Sequence, residues 1–468
     1  MRKRFFLGIM LVLSSLATKA EGYSITLNWQ GIGDTTVFLA HYFDAKIYID
    51  DTTKLDQAGK GAFTGEKKLR EGLYVLYLNQ KVYIDILIGA DQEFNVSTTI
   101  ASPHTDIRIS GADESARFLE YQEFLRKSTN ERNQLTKQFQ EADSLQKIEI
   151  NKKYEETDKK VLAHITSEAN KYPGSMYSTF LKLTQAVEVP KLDLDRKSPQ
   201  YDSITWFHYY NYNRDHFFDY VDFSDERILV TPLLQPKLDN YFNKVLVQSP
   251  DSVIPQALKI INRSKKNQNV YQYVSQFLIN NSLQSKIMGM DAVFVAIADK
   301  VYLSGEATWA DTTILKKVAE EAFLIRQNII GKVAPELVME NISGEIESLH
   351  QLQNDFTILL FWEPNCGHCK KEVPELYEKV YSKYLNYNIE FIAVNISDNK
   401  KEWTDFVEEH ELVGWHHWWD VSNQSLFRYK YNVKSTPLLY VLDKEKKIIA
   451  KKIDINTLIT LLDTLLKK

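Results

Sequence analysis

Cysteine is nearly absent from this chain: two residues in 468, Cys366 and Cys369. A framework of several disulfides is therefore excluded, and so is a zinc site built from two cysteine pairs. Positive charge is not in excess either. The 57 Lys and Arg face 62 Asp and Glu, a formal net charge of -5, whereas phosphate backbones select a basic surface. Nucleic acid is not expected as a partner. Long apolar runs are missing too. Beyond the N-terminal segment no stretch reaches the roughly 18 uninterrupted apolar residues of a membrane-spanning helix, so no integral membrane segment is expected. No fixed-period repeat is visible, which disfavours a solenoid.

What is present fits a multidomain globular protein. The length calls for two to four domains, and 44% hydrophobic with 25% charged residues is ordinary for such chains. Residues 1–20 read as a cleavable secretory signal: Arg2, Lys3 and Arg4 precede the apolar "FFLGIMLVL", and Thr18 and Ala20 offer a cleavage site before Glu21. A periplasmic or otherwise exported location is expected. No cysteine lies near that point to carry a lipid, so a lipoprotein is not. From 21 to 111 short runs such as "YSITLNW", "TVFLAHY", "LYVLYL" and "VYIDILI", separated by breakers including "QAGKGAF", predict a small antiparallel β-sandwich-like domain. From 112 to 328 apolar residues recur at helical steps (Phe118, Tyr121, Phe124, Leu125), predicting an irregular α-helical domain. Within it the aromatic run "ITWFHYYNYNRDHFFDYVDF" is read as a helix packed on its neighbours rather than as a ligand groove. His208 and His216 have no carboxylate or cysteine at ligand spacing, so metal is not expected there.

The segment 329–468 has a different rhythm. "ISGEIESL" predicts a hairpin, and "FTILLFW" (356–362) is a continuous apolar run, the mark of a strand buried on both faces of a sheet. A helix from about Cys366, the strand "IEFIAVNI", the helix "KKEWTDFVEEH", a hairpin of "PLLYVLD" and "KIIAKKI" and a closing helix follow, a thioredoxin-type α/β order. Placed at a helix N-terminus, Cys366 meets unpaired N–H groups and the positive end of the dipole, and a protonated His368 adds charge beside it. Both favour the thiolate and mark Cys366 as the attacking sulfur. Cys369, one turn on and more buried, is placed to resolve a mixed disulfide. Adjacent His416 and His417 on an extended segment would point to opposite faces, so they cannot complete a metal site with the cysteines. No metal and no organic cofactor are expected.

These motifs resemble those of the TlpA/ResA-like group of thioredoxin-fold thiol–disulfide oxidoreductases. "GKVAPEL" is similar to the group's lead-in, "LLFWEPNCGHCKKEVPEL" to its strand–CxxC–helix signature, and "KYNVKSTPLLYVLD" to its cis-proline loop. The resemblance implies that Pro374 kinks the helix and that the Thr436–Pro437 bond is cis. Trp362, Thr436 and Pro437 would then form the substrate groove. It also implies that Glu372, six residues after Cys366, assists proton transfer. Leu360 stands where thioredoxin proper has a buried aspartate, and Asn365 where the group commonly has Trp. The Gly-His dipeptide resembles that of disulfide isomerases, which leaves reduction, oxidation and isomerisation all open. The front of the chain resembles the N-terminal extensions of such proteins in Bacteroidota. Protein thiol or disulfide substrates and a redox partner protein are the expected partners. Two alternatives stand beside this reading: a ligand- or partner-binding protein with an accessory thioredoxin-like domain, and a peroxiredoxin-like thiol peroxidase on the same fold.

Overall fold

Alternation of apolar and polar residues makes the first strands amphipathic, and two sheets close on the apolar faces. The computed structural model describes residues 22–79, 82–420 and 422–467; the expected signal segment lies outside them. Strands β1 (Tyr23–Gln30), β4 (Lys60–Gly65), β7 (Glu93–Thr99) and β8 (Arg108–Ser110) form one sheet in the order β4-β1-β7-β8. Strands β2 (Thr36–Phe43), β3 (Lys46–Lys54), β5 (Gly72–Asn79) and β6 (Val82–Ile88) form the other, ordered β3-β2-β5-β6. Ile25, Leu27 and Trp29 from β1 meet Val37, Leu39, Tyr74 and Leu76 in the core between them. One pair departs from the antiparallel expectation: β1 and β7 run parallel. Part of the expected breaker "QAGKGAF" is in fact β4. Its Gly65 lies against the Tyr23 ring, where an added Cβ would come within 2.3 Å of a ring carbon. The glycine at this strand end permits close packing.

Strands β5 and β6 of the second sheet are covered on both faces, while β3 is largely exposed. Leu73 and Leu87 turn away from the sandwich core and pack on Phe118, Tyr121, Ile165, Tyr177 and Leu181 of three helices. These are α1 (Asp113–Glu141), α2 (Ser144–Lys171) and α3 (Met176–Thr184). Asp143 starts α2 with a capping box shared with Gln146. Next comes α4 (Tyr201–His216), which carries most of the aromatic run and contains no buried residue; Trp206 and Phe207 are 52% and 57% exposed. The expected packing holds only beyond it, at Phe218, Val221 and Phe223. α5 (Leu234–Asn240) closes this unit.

Two compact units divide the chain between Val245 and Leu246, so the helical stretch expected as one domain is shared. The second unit contains α6 (Pro250–Ser264), α7 (Gln268–Gln284), α8 (Asp291–Ile297) and α9 (Thr312–Arg326) together with the α/β sheet. A buried cation binds the two parts. Lys451 is 1% exposed; its Nζ lies 2.7 Å from the Asp291 carboxylate and donates to the Asn328 carbonyl at 2.7 Å. An ammonium in that position requires both partners.

The sheet has seven strands in the order β10-β9-β13-β12-β11-β14-β15. They are β9 (Val338–Asn341), β10 (Ile346–Ser348), β11 (Phe356–Trp362), β12 (Ile389–Asn395), β13 (His416–Trp419), β14 (Leu438–Asp443) and β15 (Ile448–Lys451). β11, β12 and β13 are parallel, and β14 runs antiparallel to β11. As the apolar run implies, β11 is buried on both faces. Ile358, Leu360 and Trp362 enter one core, Leu359 and Phe361 the other. The helices on these faces are α10 (Cys369–Leu376), α11 (Ser382–Tyr384), α12 (Lys400–Glu409), α13 (Phe427–Lys430) and α14 (Ile455–Leu465). Pro374, with no N–H to give, sits inside α10, and a wider π turn over Tyr377–Tyr381 follows. A turn at Gly414, φ +88°, leads into β13, and the Tyr381 hydroxyl lies where a Cβ would stand. No helix among the described residues is long and apolar enough to cross a membrane.

Candidate redox site

The loop after β11 carries both cysteines, and sheet register decides what it faces. Phe361 pairs with Leu438 across the β11–β14 ladder. The chain leaving Trp362 therefore meets the chain arriving at Pro437. The Thr436–Pro437 peptide is cis, as the resemblance implied. Cys366 Sγ lies 3.4 Å from the Thr436 carbonyl and accepts from the Cys369 N–H at 3.3 Å.

Regular α-helix begins at Cys369, capped by His368, and not at Cys366 as expected. The Gly367–His368 turn separates the two, although the Lys370 N–H already donates to the Cys366 carbonyl at 3.0 Å. Cys366 thus sits just ahead of the helix with backbone N–H groups aimed at its sulfur. Burial pushes its thiol up, but hydrogen bonds from the Cys369 thiol, the Thr436 side chain and the backbone N–H groups of Cys369 and His368 outweigh this and hold it below the ordinary value of 9.0. Cys369 is fully buried; burial first, and then its hydrogen bond to Cys366, push it up to about 12. Both are free thiols. One sulfur is acidic and reachable, its neighbour protonated and hidden.

The other expected residues take different places. The His368 imidazole is 85% exposed, with Nδ1 4.0 Å from a Glu372 oxygen, so the residue reaches the sulfur through its backbone. Glu372 lines a cavity of about 490 Å³ together with Leu360, Leu376, Lys434, Ser435, Pro437 and Ile453. Asn432 is in the same wall, and its buried Oδ1 has no hydrogen-bond partner. Trp362 is a correction. It is fully buried, its ring 5.0 Å from that of Phe406, and offers no surface to a substrate. The side-chain period of 2 along β11 turns it into the same core as Leu360. His416 and His417 do point apart: His416 lies between Glu347 (2.6 Å) and Glu390 (3.0 Å), while buried His417 reaches the Leu412 carbonyl. His208 and His216 are held by the Pro190 carbonyl and Asp219. Among the described residues no group of three or more His, Cys, Asp or Glu is arranged to hold a metal.

Sequence spacing did not single out Glu363 or Glu402, the partners of Thr436 and Asn365 beside the cysteine loop. The Thr436 hydroxyl donates to Glu363 Oε1 at 3.1 Å, although 73 positions separate the two residues. Asn365 bonds Glu402 at the start of α12, tying the loop down where a Trp is common in the resembling group. Only the sheet register and the position of α12 reveal these pairs.

Residues 330–451 match the AhpC/TSA family model. The chain is 28% identical over 125 residues to the thiol-disulfide oxidoreductase ResA of Bacillus cereus, covering 26% of this chain and 68% of that protein. It is 30% identical over 124 residues to the thioredoxin-like protein YneN of Bacillus subtilis, covering 25% of this chain and 68% of that one. A solved structure from Cytophaga hutchinsonii, titled a domain of "possible thiol-disulfide isomerase", is 38% identical and covers 30% of this chain and 94% of its own, with a TM-score of 0.28. By its sheet, its two-cysteine loop, its cis-proline and the two Bacillus relatives, the chain belongs to the TlpA/ResA-like family of thioredoxin-fold thiol–disulfide oxidoreductases.

Proposed function

We propose that the protein is an exported oxidoreductase that exchanges disulfides with protein substrates through its Cys-Gly-His-Cys loop. In the reducing direction the Cys366 thiolate attacks one sulfur of a client disulfide; the Cys366–client bond forms as the client's other sulfur leaves as thiolate. Cys369 loses its proton, with Glu372 as the acceptor, and attacks Cys366 Sγ. The client's second sulfur leaves, and the Cys366–Cys369 disulfide retains the two oxidising equivalents. A second redox protein returns two electrons. Run backwards, the same steps oxidise a client dithiol. The backbone beside Pro437, at Ser435 and Thr436, hydrogen-bonds extended client chain. The adjacent cavity seats a client side chain whose donor satisfies Asn432.

The observation that carries this reading is the pair of unequal sulfurs beside the cis-proline: Cys366 held down by hydrogen bonds, Cys369 pushed up by burial. Insulin-disulfide reduction by the full chain tests it. Cys366→Ser is expected to abolish turnover, and Cys369→Ala to trap mixed disulfides; equal turnover in wild type and Cys366→Ser would refute the mechanism. Export is supported by the N-terminal residues and is tested by N-terminal sequencing of the mature protein, expected to start near Glu21. A thiol peroxidase on this fold needs Pro-x-x-x-Thr/Ser-x-x-Cys. Here Leu359 and Glu363 occupy those two places, which favours disulfide exchange over peroxide reduction.

A further inference from the structure

A hydroxyl has one proton to donate, and at this site more than one acceptor wants it. The Thr436 hydroxyl donates to Glu363 Oε1 at 3.1 Å, the carbonyl of the same residue accepts from Cys366 Sγ at 3.4 Å, and the hydroxyl lies near enough to both sulfurs to lower their pKa. Glu363 is half-buried, begins the loop that carries Cys366, and accepts the Cys366 N–H on its own carbonyl at 3.3 Å. Once Cys366 ionises, its thiolate becomes a charged acceptor for the same proton, with a second negative group behind the hydroxyl.

We propose that Glu363 is a positioning residue that governs how readily Cys366 ionises, by competing with its sulfur for the Thr436 hydroxyl proton. This rests on Cys366 being the reactive thiolate, and it adds a second carboxylate, besides Glu372, to the site. While Glu363 is ionised it draws the proton off the sulfur and repels the thiolate, so the two effects act in one direction. The other charged groups about the loop are His368 and Glu372 on α10, Glu402 of α12 acting through Asn365, and Lys434 ahead of the cis-proline. None of them is hydrogen-bonded to the Thr436 hydroxyl, whose one hydrogen bond is the one to Glu363.

The test is the pH profile of Cys366 alkylation in the reduced full chain, read by the rate of iodoacetamide labelling. In Glu363→Gln the amide is neutral and donates to the Thr436 oxygen, which frees the hydroxyl proton for Cys366. The midpoint is expected to fall by about one pH unit, which is about tenfold more thiolate well below it. Thr436→Val keeps the shape and removes the hydroxyl, so its midpoint is expected to rise. In that background Glu363→Gln is expected to lose most of its effect. An unchanged or raised midpoint in Glu363→Gln overturns the inference. So does an equal fall with and without the hydroxyl, which would mean plain repulsion. Failure of the exchange reading looks different: wild type itself would label as an ordinary thiol and leave insulin intact, and both readings would fall together.

Discussion

Alkylation of the reduced protein at neutral pH reads the inequality of the two thiols directly. Cys369 is pushed up to about 12, while Cys366 is held below 9.0. At pH 7 the thiolate fraction of Cys366 therefore exceeds that of Cys369 by at least about a thousandfold. The more basic thiolate is intrinsically the better nucleophile. With a Brønsted coefficient of about 0.4–0.5, three decades of basicity return at most about 1.5 decades of rate. About a 30-fold preference for Cys366 remains before access is counted, and Cys369 is fully buried where Cys366 is partly exposed. Iodoacetamide in slight excess, followed by peptide mapping, is expected to place nearly all of the label on Cys366. In Cys366→Ser the remaining thiol is expected to stay unlabelled until the chain is unfolded in urea. Comparable labelling of both cysteines would refute the assignment of nucleophile and resolving thiol.

Three further outcomes follow from the same structure. The two thiols give opposite linkage in the reduced protein. The depressed Cys366 stabilises the fold above its ordinary value of 9.0, and that part is lost as pH falls through its lowered folded value. The raised Cys369 stabilises below 9.0, and that part is lost as pH rises towards about 12. Urea midpoints against pH should lose the first slope in Cys366→Ser and the second in Cys369→Ala; identical profiles would contradict both. Lys451→Met leaves the half-buried Asp291 with only the more distant, half-exposed Lys452 at 3.9 Å and one oxygen already unpartnered, and should cost about 3 kcal/mol in urea unfolding. Adding Asp291→Leu should recover much of that loss, and a loss below about 1 kcal/mol would show that the pair is not what holds β15 to α8. Gly414→Ala forces a Cβ to 2.0 Å from the Tyr381 hydroxyl at φ +88°. It should destabilise by about 1–3 kcal/mol, less in Tyr381→Phe, and equal cost in both would locate the strain in the backbone alone.

The redox half of the fold was legible because its signals are local. An apolar run as unbroken as "FTILLFW" has to be covered on both faces, and a CxxC pair directly after it fixes where the strand ends. The cis-proline loop was equally visible through its motif. What failed to show depends on partners distant in sequence. In "QAGKGAF" the glycines read as punctuation, yet Gly61 lies inside β4, packed on Leu55 and Thr53 that come from an earlier stretch of chain. The aromatics of α4 promise a packed helix, yet aromatic content does not specify which side is covered. There Trp206 stacks on Tyr210, 5.1 Å between centroids, and stays in solvent. Trp362 looked like the edge of a groove from its closeness to Cys366, but side-chain alternation along β11 sends it inward. Nothing in the spacing of Glu363 and Thr436 foretells their hydrogen bond, which exists because β14 returns alongside β11. The helices α6–α9 read as part of a central domain, since a single buried lysine on β15 cannot be told from an exposed one by sequence.

That lysine has a bearing on how the protein can be dissected. A fragment beginning near Gly331, where the motif resemblance starts, takes Lys451 with it and leaves behind Asp291 and Asn328, the anion and the acceptor that neutralise it. The excised piece would open a cationic hole at the back of its sheet and invite foreign acidic groups to fill it. Scission ahead of Pro250 keeps all three residues on one polypeptide, and makes the better starting point for crystallising or transplanting the catalytic half.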